Sequence, residues 1–170
     1  MDKTRWTVDP AHSSVGFNIC FSKASKIKGT FHSYEAVMEA DPGSLVTANI
    51  AFTVDLASVD TQSKERDARL LSEDFFDVEK FPEMRFIANN ILQQDDGQYE
   101  LVGEFSLHGV TRTESIFLTF KEEVKDPDGS EKAGFHAEGK IKRSDYGLTL
   151  GAPTGDDVNI ELDVRLIKEA

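Results

Sequence analysis

The chain holds one cysteine, Cys20, so no internal disulfide and no thiolate cluster can form. Its five prolines are scattered and make no Pro-rich linker, which leaves residues 1–170 to be read as one domain. No stretch reaches the roughly 18–20 apolar residues of a membrane helix, so no transmembrane segment is expected. The opening Met1-Asp-Lys-Thr-Arg-Trp6 lacks the apolar core of a secretory signal and runs straight into a strand, and the expected location is cytoplasmic. Cationic charge is also scarce. Lys and Arg total 19 against 31 Asp and Glu, and the net charge of -12 disfavours nucleic acid and anionic membrane surfaces as partners.

Chemical motifs are as sparse. There is no Gly-x-Ser-x-Gly elbow, no phosphate loop and no dinucleotide fingerprint. The histidines, His12, His32, His108 and His136, stand at no short metal-ligand spacing, so neither a metal nor a cofactor is expected. His12-Ser13-Ser14 pairs a base with a nucleophile only superficially, because adjacent residues on an extended chain point apart.

What the chain has is period-two alternation and phenylalanine. Val15, Phe17, Ile19 and Phe21 share one face of a strand over 14–21. Ile27, Gly29 and Phe31 mark a second, continued beyond a bend by 34–40. The stretch 45–56 places Val46, Ile50, Phe52, Val54 and Leu56 opposite Thr47, Asn49, Thr53 and Asp55. Met84, Phe86 and Ala88 resume the period. Tyr99 to Leu107, Ile116 to Phe120, Phe135 to Ile141 and Val158 to Leu166 follow, with turns at Asp95-Asp-Gly97 and His108-Gly109. About eight half-apolar strands without a long covering helix must close into a barrel or pack as a sandwich.

One segment breaks the pattern. Over 63–72 good helix formers dominate, Glu65 and Arg69 stand at i and i+4, and Ala68, Leu71 and Phe75 form an apolar stripe, which predicts one helix over the end of the sheet. Twelve Phe against three Tyr put most ring surface where no polar handle is needed, in a dry core or around a hydrocarbon ligand. Gly29, Gly103 and Gly139 on the apolar faces serve either strand curvature or space for such a ligand. Arg66 and Arg69 could offer guanidinium donors to an anionic head group or lie on a solvated face beside Glu65 and Asp67. Arg143 continues the inward phase of Ile141 and would emerge at the rim beside an acid such as Asp145.

Seven blocks, in order and spanning nearly the whole chain, carry a family resemblance. They are Trp6-Thr-Val-Asp-Pro-Ala-His-Ser-Ser-Val-Gly-Phe17, Ile27-Lys-Gly-Thr-Phe31, Ala57-Ser-Val-Asp-Thr61, Lys64-Glu-Arg-Asp-Ala-Arg-Leu70, Asp74-Phe-Phe-Asp-Val-Glu-Lys-Phe-Pro82, Leu107-His-Gly-Val-Thr111 and Gly139-Lys-Ile-Lys-Arg-Ser-Asp-Tyr-Gly147. In these the chain resembles the bacterial YceI-like, polyisoprenoid-binding proteins. The resemblance implies an extended, lipocalin-like, eight-stranded antiparallel β-barrel, all-β but for the one inserted helix, whose apolar pore takes a polyisoprenoid or similar long-chain amphiphilic lipid, isoprenoid quinones included. It implies no catalytic machinery and is compatible with a homodimer. Many relatives are periplasmic, and Arg69 stands where the family pattern often has His.

The expected function is noncatalytic binding, transport or storage of such a lipid, with affinity from hydrophobic burial. Strand phase nominates Phe17, Ile19, Phe21, Phe31, Phe52, Val54, Phe86, Leu107 and Ile141 for the wall, Phe75 and Phe76 for a gate, and Arg66 and Arg143 for polar contacts. The alternatives are an enzyme acting on the lipid, with His12, His108 or a buried acid as base, and a ligand-free acidic module for protein partners.

Overall fold

The computed structural model describes residues 4–20, 26–41, 44–73, 75–95, 97–148 and 156–169. Strands β1 (Thr4–Val8), β2 (Ser14–Cys20), β3 (Lys26–Phe31), β4 (Tyr34–Asp41), β5 (Ser44–Asp55) and β6 (Val59–Asp60) precede helix α1 (Lys64–Leu71). Strands β7 (Glu83–Asp95), β8 (Gln98–Leu107), β9 (Val110–Lys125), β10 (Glu131–Lys142) and β11 (Asp157–Lys168) follow it. The hydrogen-bonded order β1-β4-β5-β7-β8-β9-β10-β11 closes when β11 returns to β1, pairing Trp6 with Lys168 and Val8 with Leu166. The protein is thus a closed, eight-stranded antiparallel barrel with one helix. Closure leaves those strands without a free edge.

β2, β3 and β6 continue β1, β4 and β5 beyond short breaks and extend the sheet in the order β11-β2-β3-β6. The breaks have local causes. Pro10 cannot donate to a ladder, and Asp9 accepts from Ala11 N at 3.2 Å to start a single 3-10 turn. Asp55 does the same for Ala57 N at 3.0 Å. Ser58 then ties two breaks together, its Oγ accepting from Ser33 N at 3.0 Å while its carbonyl accepts from His32 N at 3.3 Å.

Alternation fills the interior. Val15, Phe17, Ile19, Phe31, Val54, Leu56, Met84, Phe86, Leu101, Phe105, Leu107, Ile116, Leu118, Phe135, Ala137 and Ile141 are all buried. Two positions depart from the simple phase. Val46 keeps the inward phase of β5 yet lies near its end and is 45% exposed. In β7 a register shift between Ala88 and Asn90 inverts the alternation, so that Ile91 is buried.

Ser63 caps α1, its Oγ accepting from Arg66 N at 3.3 Å. The buried face of the helix is centred on Leu70, with Leu71 beside it; Ala68, expected in the stripe, is exposed. The hairpin His108-Gly109 has positive φ at both residues, 56° and 75°, as a two-residue hairpin between twisted strands requires. Phe81 packs on it, its ring centroid 5.0 Å from that of His108. Phe21, the turn residues 22–25 and 42–43, and Asp96 of the expected hairpin lie outside the described residues.

Candidate functional site

Two apolar cavities lie end to end along the barrel axis. The larger, about 80 Å³, is bounded by Ala36, Val37 and Met38 of β4, Ile50 and Phe52 of β5, Phe86 of β7, Leu101 of β8, Ile116 and Leu118 of β9, Phe135 and Ala137 of β10, and Leu162, Val164 and Leu166 of β11. The smaller, about 30 Å³, is bounded by Val15, Gly16, Phe17, Ile19, Phe31, Phe75, Phe76, Met84, Leu107, Ile141, Leu148, Val158 and Ile160. The boundary between them falls between successive inward positions of single strands, Ile160 and Leu162 on β11 or Met84 and Phe86 on β7. Among the described residues every lining position is apolar or glycine, so these offer a ligand surface contact and no proton donor or acceptor from a side chain.

Phe105 stands at that boundary. Like Gly103, it is an inward residue of β8 between Leu101 and Leu107 that borders neither cavity; it is 2% exposed, and its ring meets Phe86 at 6.4 Å and Tyr146 at 5.6 Å. Tyr146 is wholly buried and donates its hydroxyl to Glu114 Oε2 at 2.6 Å. Burial, reinforced by that carboxylate, pushes the phenol pKa upward, so Tyr146 remains a neutral donor.

The glycines of the inner face divide in role. A Cβ on Gly29 would lie 2.5 Å from Phe17 Cζ, so the space this residue leaves is occupied by the Phe17 ring. Gly103 permits a close approach of backbone: its Cβ would overlap Ile87 O and lie 2.8 Å from Ala88 Cα, beside the β7 register shift.

Of the wall residues nominated from strand phase, Phe52 and Phe86 border the larger cavity, and Phe17, Ile19, Phe31, Leu107 and Ile141 the smaller. Phe75 and Phe76 also border the smaller, their rings 4.7 Å apart edge to face, with Phe76 N donating to Leu70 O at 2.9 Å. Val54 is fully buried but borders neither cavity. Phe21 lies outside the described residues. Met38, Phe135 and Leu162 border the larger cavity without having been nominated, although Phe135 and Leu162 followed the same period-two signal.

The arginines lie elsewhere. Arg66 donates Nε to Thr61 Oγ1 at 2.9 Å and Nη2 to Thr61 O at 2.7 Å, while Thr61 N donates to Asp67 Oδ1 at 2.9 Å. This polar knot ties α1 to the end of β6. Arg69 is exposed. Arg143, expected to emerge at the rim, is instead 6% exposed and donates Nη1 to Leu148 O at 2.6 Å, because the turn 143–146 folds back over it. Asp145 meets Arg112 at 3.8 Å.

A closed, eight-stranded antiparallel barrel that encloses two apolar-lined cavities, with Phe75 and Phe76 after a short helix bordering one of them, defines a lipocalin-like fold. The profile of the YceI-like domain matches residues 6–166, and the chain belongs to that family. It is 30% identical over 158 residues to a UPF0312 protein of Pseudomonas fluorescens (strain SBW25), covering 93% of this chain and 82% of that one. A UPF0312 protein of Vibrio vulnificus (strain YJ016) is 30% identical over 159 residues, covering 94% and 84%.

Among solved structures, the YCEI protein of Campylobacter jejuni superposes with a TM-score of 0.78 at 31% identity, covering 88% of this chain and 89% of that one. BcnA of Burkholderia cenocepacia shares the fold with a TM-score of 0.84 at 22% identity, covering 93% and 98%. A polyisoprenoid-binding domain from Saccharophagus degradans, implicated in plant cell wall breakdown, shares it with a TM-score of 0.74 at 14% identity, covering 96% and 98%.

Proposed function

We propose that the protein binds a polyisoprenoid or similar long-chain amphiphilic lipid inside the barrel and carries or stores it without chemical change. The observation that carries this reading is the pair of aligned cavities whose described lining residues are all apolar or glycine. A chain of repeated hydrocarbon units matches such a lining, and burial contributes about 25 cal/mol per Å² before the cost of ordering the ligand. The polyisoprenoid-binding domain that shares this fold supports the choice of ligand class. The noncatalytic reading rests on described wall residues that carry no titratable side chain to act as acid or base.

Volume imposes a condition on this function. A dry cavity of about 150 Å³ takes a single benzene, and neither space here, about 80 and 30 Å³, reaches that. A long lipid therefore binds by displacing rings at the boundary, Phe105 foremost, so that the two spaces join. Phe75 and Phe76 act as the gate at the helix end, and Arg66 positions the helix that precedes them.

Organic extraction of the purified protein followed by mass spectrometry tests the proposal. Stoichiometric, unaltered long-chain lipid is the expected result, and Phe86→Trp, which narrows the larger cavity without adding charge, should reduce it in a folded protein. Repeated recovery of lipid-free protein that also fails to take up added farnesol would refute binding. Conversion of the added lipid would replace carriage with catalysis.

A further inference from the structure

Outside the barrel, the pairing of β10 with β11 sets His136 opposite Asp163 and Glu138 opposite Glu161. Two-residue spacing along each strand puts all four side chains on the outer face, and directly opposed residues hold their Cβ atoms about 4.5–5.5 Å apart. His136 Nδ1 lies 2.7 Å from Asp163 Oδ1, while Nε2 lies 3.0 Å from Glu138 Oε1 and 3.8 Å from Glu161 Oε1. A carboxylate can only accept, so Asp163 holds a proton on Nδ1 and fixes the ring with Nε2 directed at the two glutamates. Glu138 and Glu161, being like charges directly opposed, disfavour each other.

The flanking strands supply no counter-charge at these register positions. Thr119 and Phe117 of β9 stand beside His136 and Glu138, and Ser14 and Gly16 of β2 stand beside Asp163 and Glu161. Lys140 lies two residues along β10, and Arg165 is engaged with Glu122 at 2.9 Å.

We propose that His136 Nε2 and the carboxylates of Glu138 and Glu161 form a binding site for a divalent transition cation, with Asp163 as the residue that orients the imidazole. Bonds of about 2.0–2.2 Å to nitrogen and carboxylate oxygen, set at tetrahedral angles, separate two donors by about 3.3–3.5 Å. The observed 3.0 and 3.8 Å from Nε2 bracket that value. His136, Glu161 and Asp163 already hold their ligand atoms within 4.8 Å of one another, and the exposed Glu138 side chain must swing toward Glu161 to complete the set. One nitrogen and two oxygens suit a borderline ion such as Zn²⁺ better than a hard one. The Asp163–His136 bond reproduces the second-sphere carboxylate that ligating histidines ordinarily have. A groove of about 340 Å³ bordered by Phe117, Glu138, Lys140, Asn159 and Glu161 adjoins the glutamates and leaves a fourth coordination position open to water or a small ligand.

Without the cation, Nδ1 faces Asp163 and Nε2 faces Glu138, each within hydrogen-bond distance of a carboxylate that can only accept. The metal replaces the proton on Nε2, and that proton passes to buffer.

Titration calorimetry of metal-stripped protein with Zn²⁺, alone and with excess Mg²⁺, tests the site, with Co²⁺ visible absorption as a second readout of tetrahedral coordination. One equivalent of Zn²⁺ that survives Mg²⁺ is expected. Affinity should fall about tenfold or more in His136→Ala and in the Glu138→Gln/Glu161→Gln pair, and about 10–100-fold in Asp163→Asn with the stoichiometry kept. His136→Gln repeats the test with a side chain of similar reach, and circular dichroism checks that each variant is folded. No uptake, uptake displaced by Mg²⁺, or equal affinity in folded His136 variants would overturn the proposal and leave an ordinary acidic surface.

Discussion

Replacing Phe105 with Ala should weaken the fold and at the same time improve lipid binding. The ring is 2% exposed and stands where the two cavities meet, so its loss removes a transfer contribution of about 2–3 kcal/mol. The neighbours Phe86 and Tyr146 are anchored in strand β7 and in the turn 143–146, and they cannot collapse fully into the gap. A residual void of ~100 Å³ at about 24 cal/mol per Å³ adds about 2.4 kcal/mol, giving a total near 4–5 kcal/mol.

The ligand then reverses part of that loss. On the proposed mode of binding, a lipid must first displace the ring in the wild type, whereas in Phe105→Ala the joined cavity is already open. A ligand at 100 times its Kd stabilises by about 2.7 kcal/mol, so farnesol should restore roughly half of the lost stability. Urea unfolding with and without farnesol, read by far-ultraviolet circular dichroism, measures both quantities. A loss below about 1 kcal/mol would show that the ring does not fill the boundary. A full loss accompanied by weaker farnesol binding than in the wild type would show that the joined space is not where the lipid lies, and the reasoning would fail.

Arg66→Ala should destabilise by about 1–3 kcal/mol through its bonds to Thr61 and should lower affinity for an isoprenyl pyrophosphate and its neutral alcohol equally. A loss confined to the pyrophosphate, measured by competition binding, would instead place Arg66 at the head group. Gly103→Ala should cost about 1–3 kcal/mol or more, because its Cβ meets the backbone of Ile87 and Ala88, which no side-chain rotation relieves; the shift in urea midpoint measures it. Asp9 accepts from His12 Nδ1 at 2.7 Å, a bond that lowers its carboxyl pKa. Its contribution is therefore full above the unfolded carboxylate range and disappears as pH falls through the folded value. The destabilisation caused by Asp9→Asn should accordingly shrink between neutral pH and about pH 3, as urea midpoints at both would show.

Period two, turn chemistry and the helix were legible in the chain because each is a local property. Val15-x-Phe17-x-Ile19, the paired turn at His108-Gly109 and the helix-forming run over 63–72 depend on residues a few positions apart. The inward phases of β8 and β10 held for the same reason, since a strand without a bulge cannot change face midway. Where a neighbouring strand intervened, local reading stopped. The shift at Ala88–Asn90 turns Ile91 inward, and it belongs with Gly103, a residue of the next strand.

Strand alternation left barrel and sandwich open and the resemblance of the seven sequence blocks pointed to the barrel; the structure closes it physically where β1 meets β11 across nearly the whole sequence. Tertiary structure also decided that Phe17 fills the space beside Gly29, that Arg66 binds Thr61, and that Arg143 is buried under its own turn. His136 acquired two of its three carboxylates in the same way, Glu161 and Asp163 from the adjacent strand, while Glu138 lies two positions along its own. The sequence determined which residues could face inward, since alternation is set by backbone geometry one residue at a time. Which of those residues touch, and how much empty volume they leave, depended on strand register and closure, which bring together groups more than a hundred positions apart.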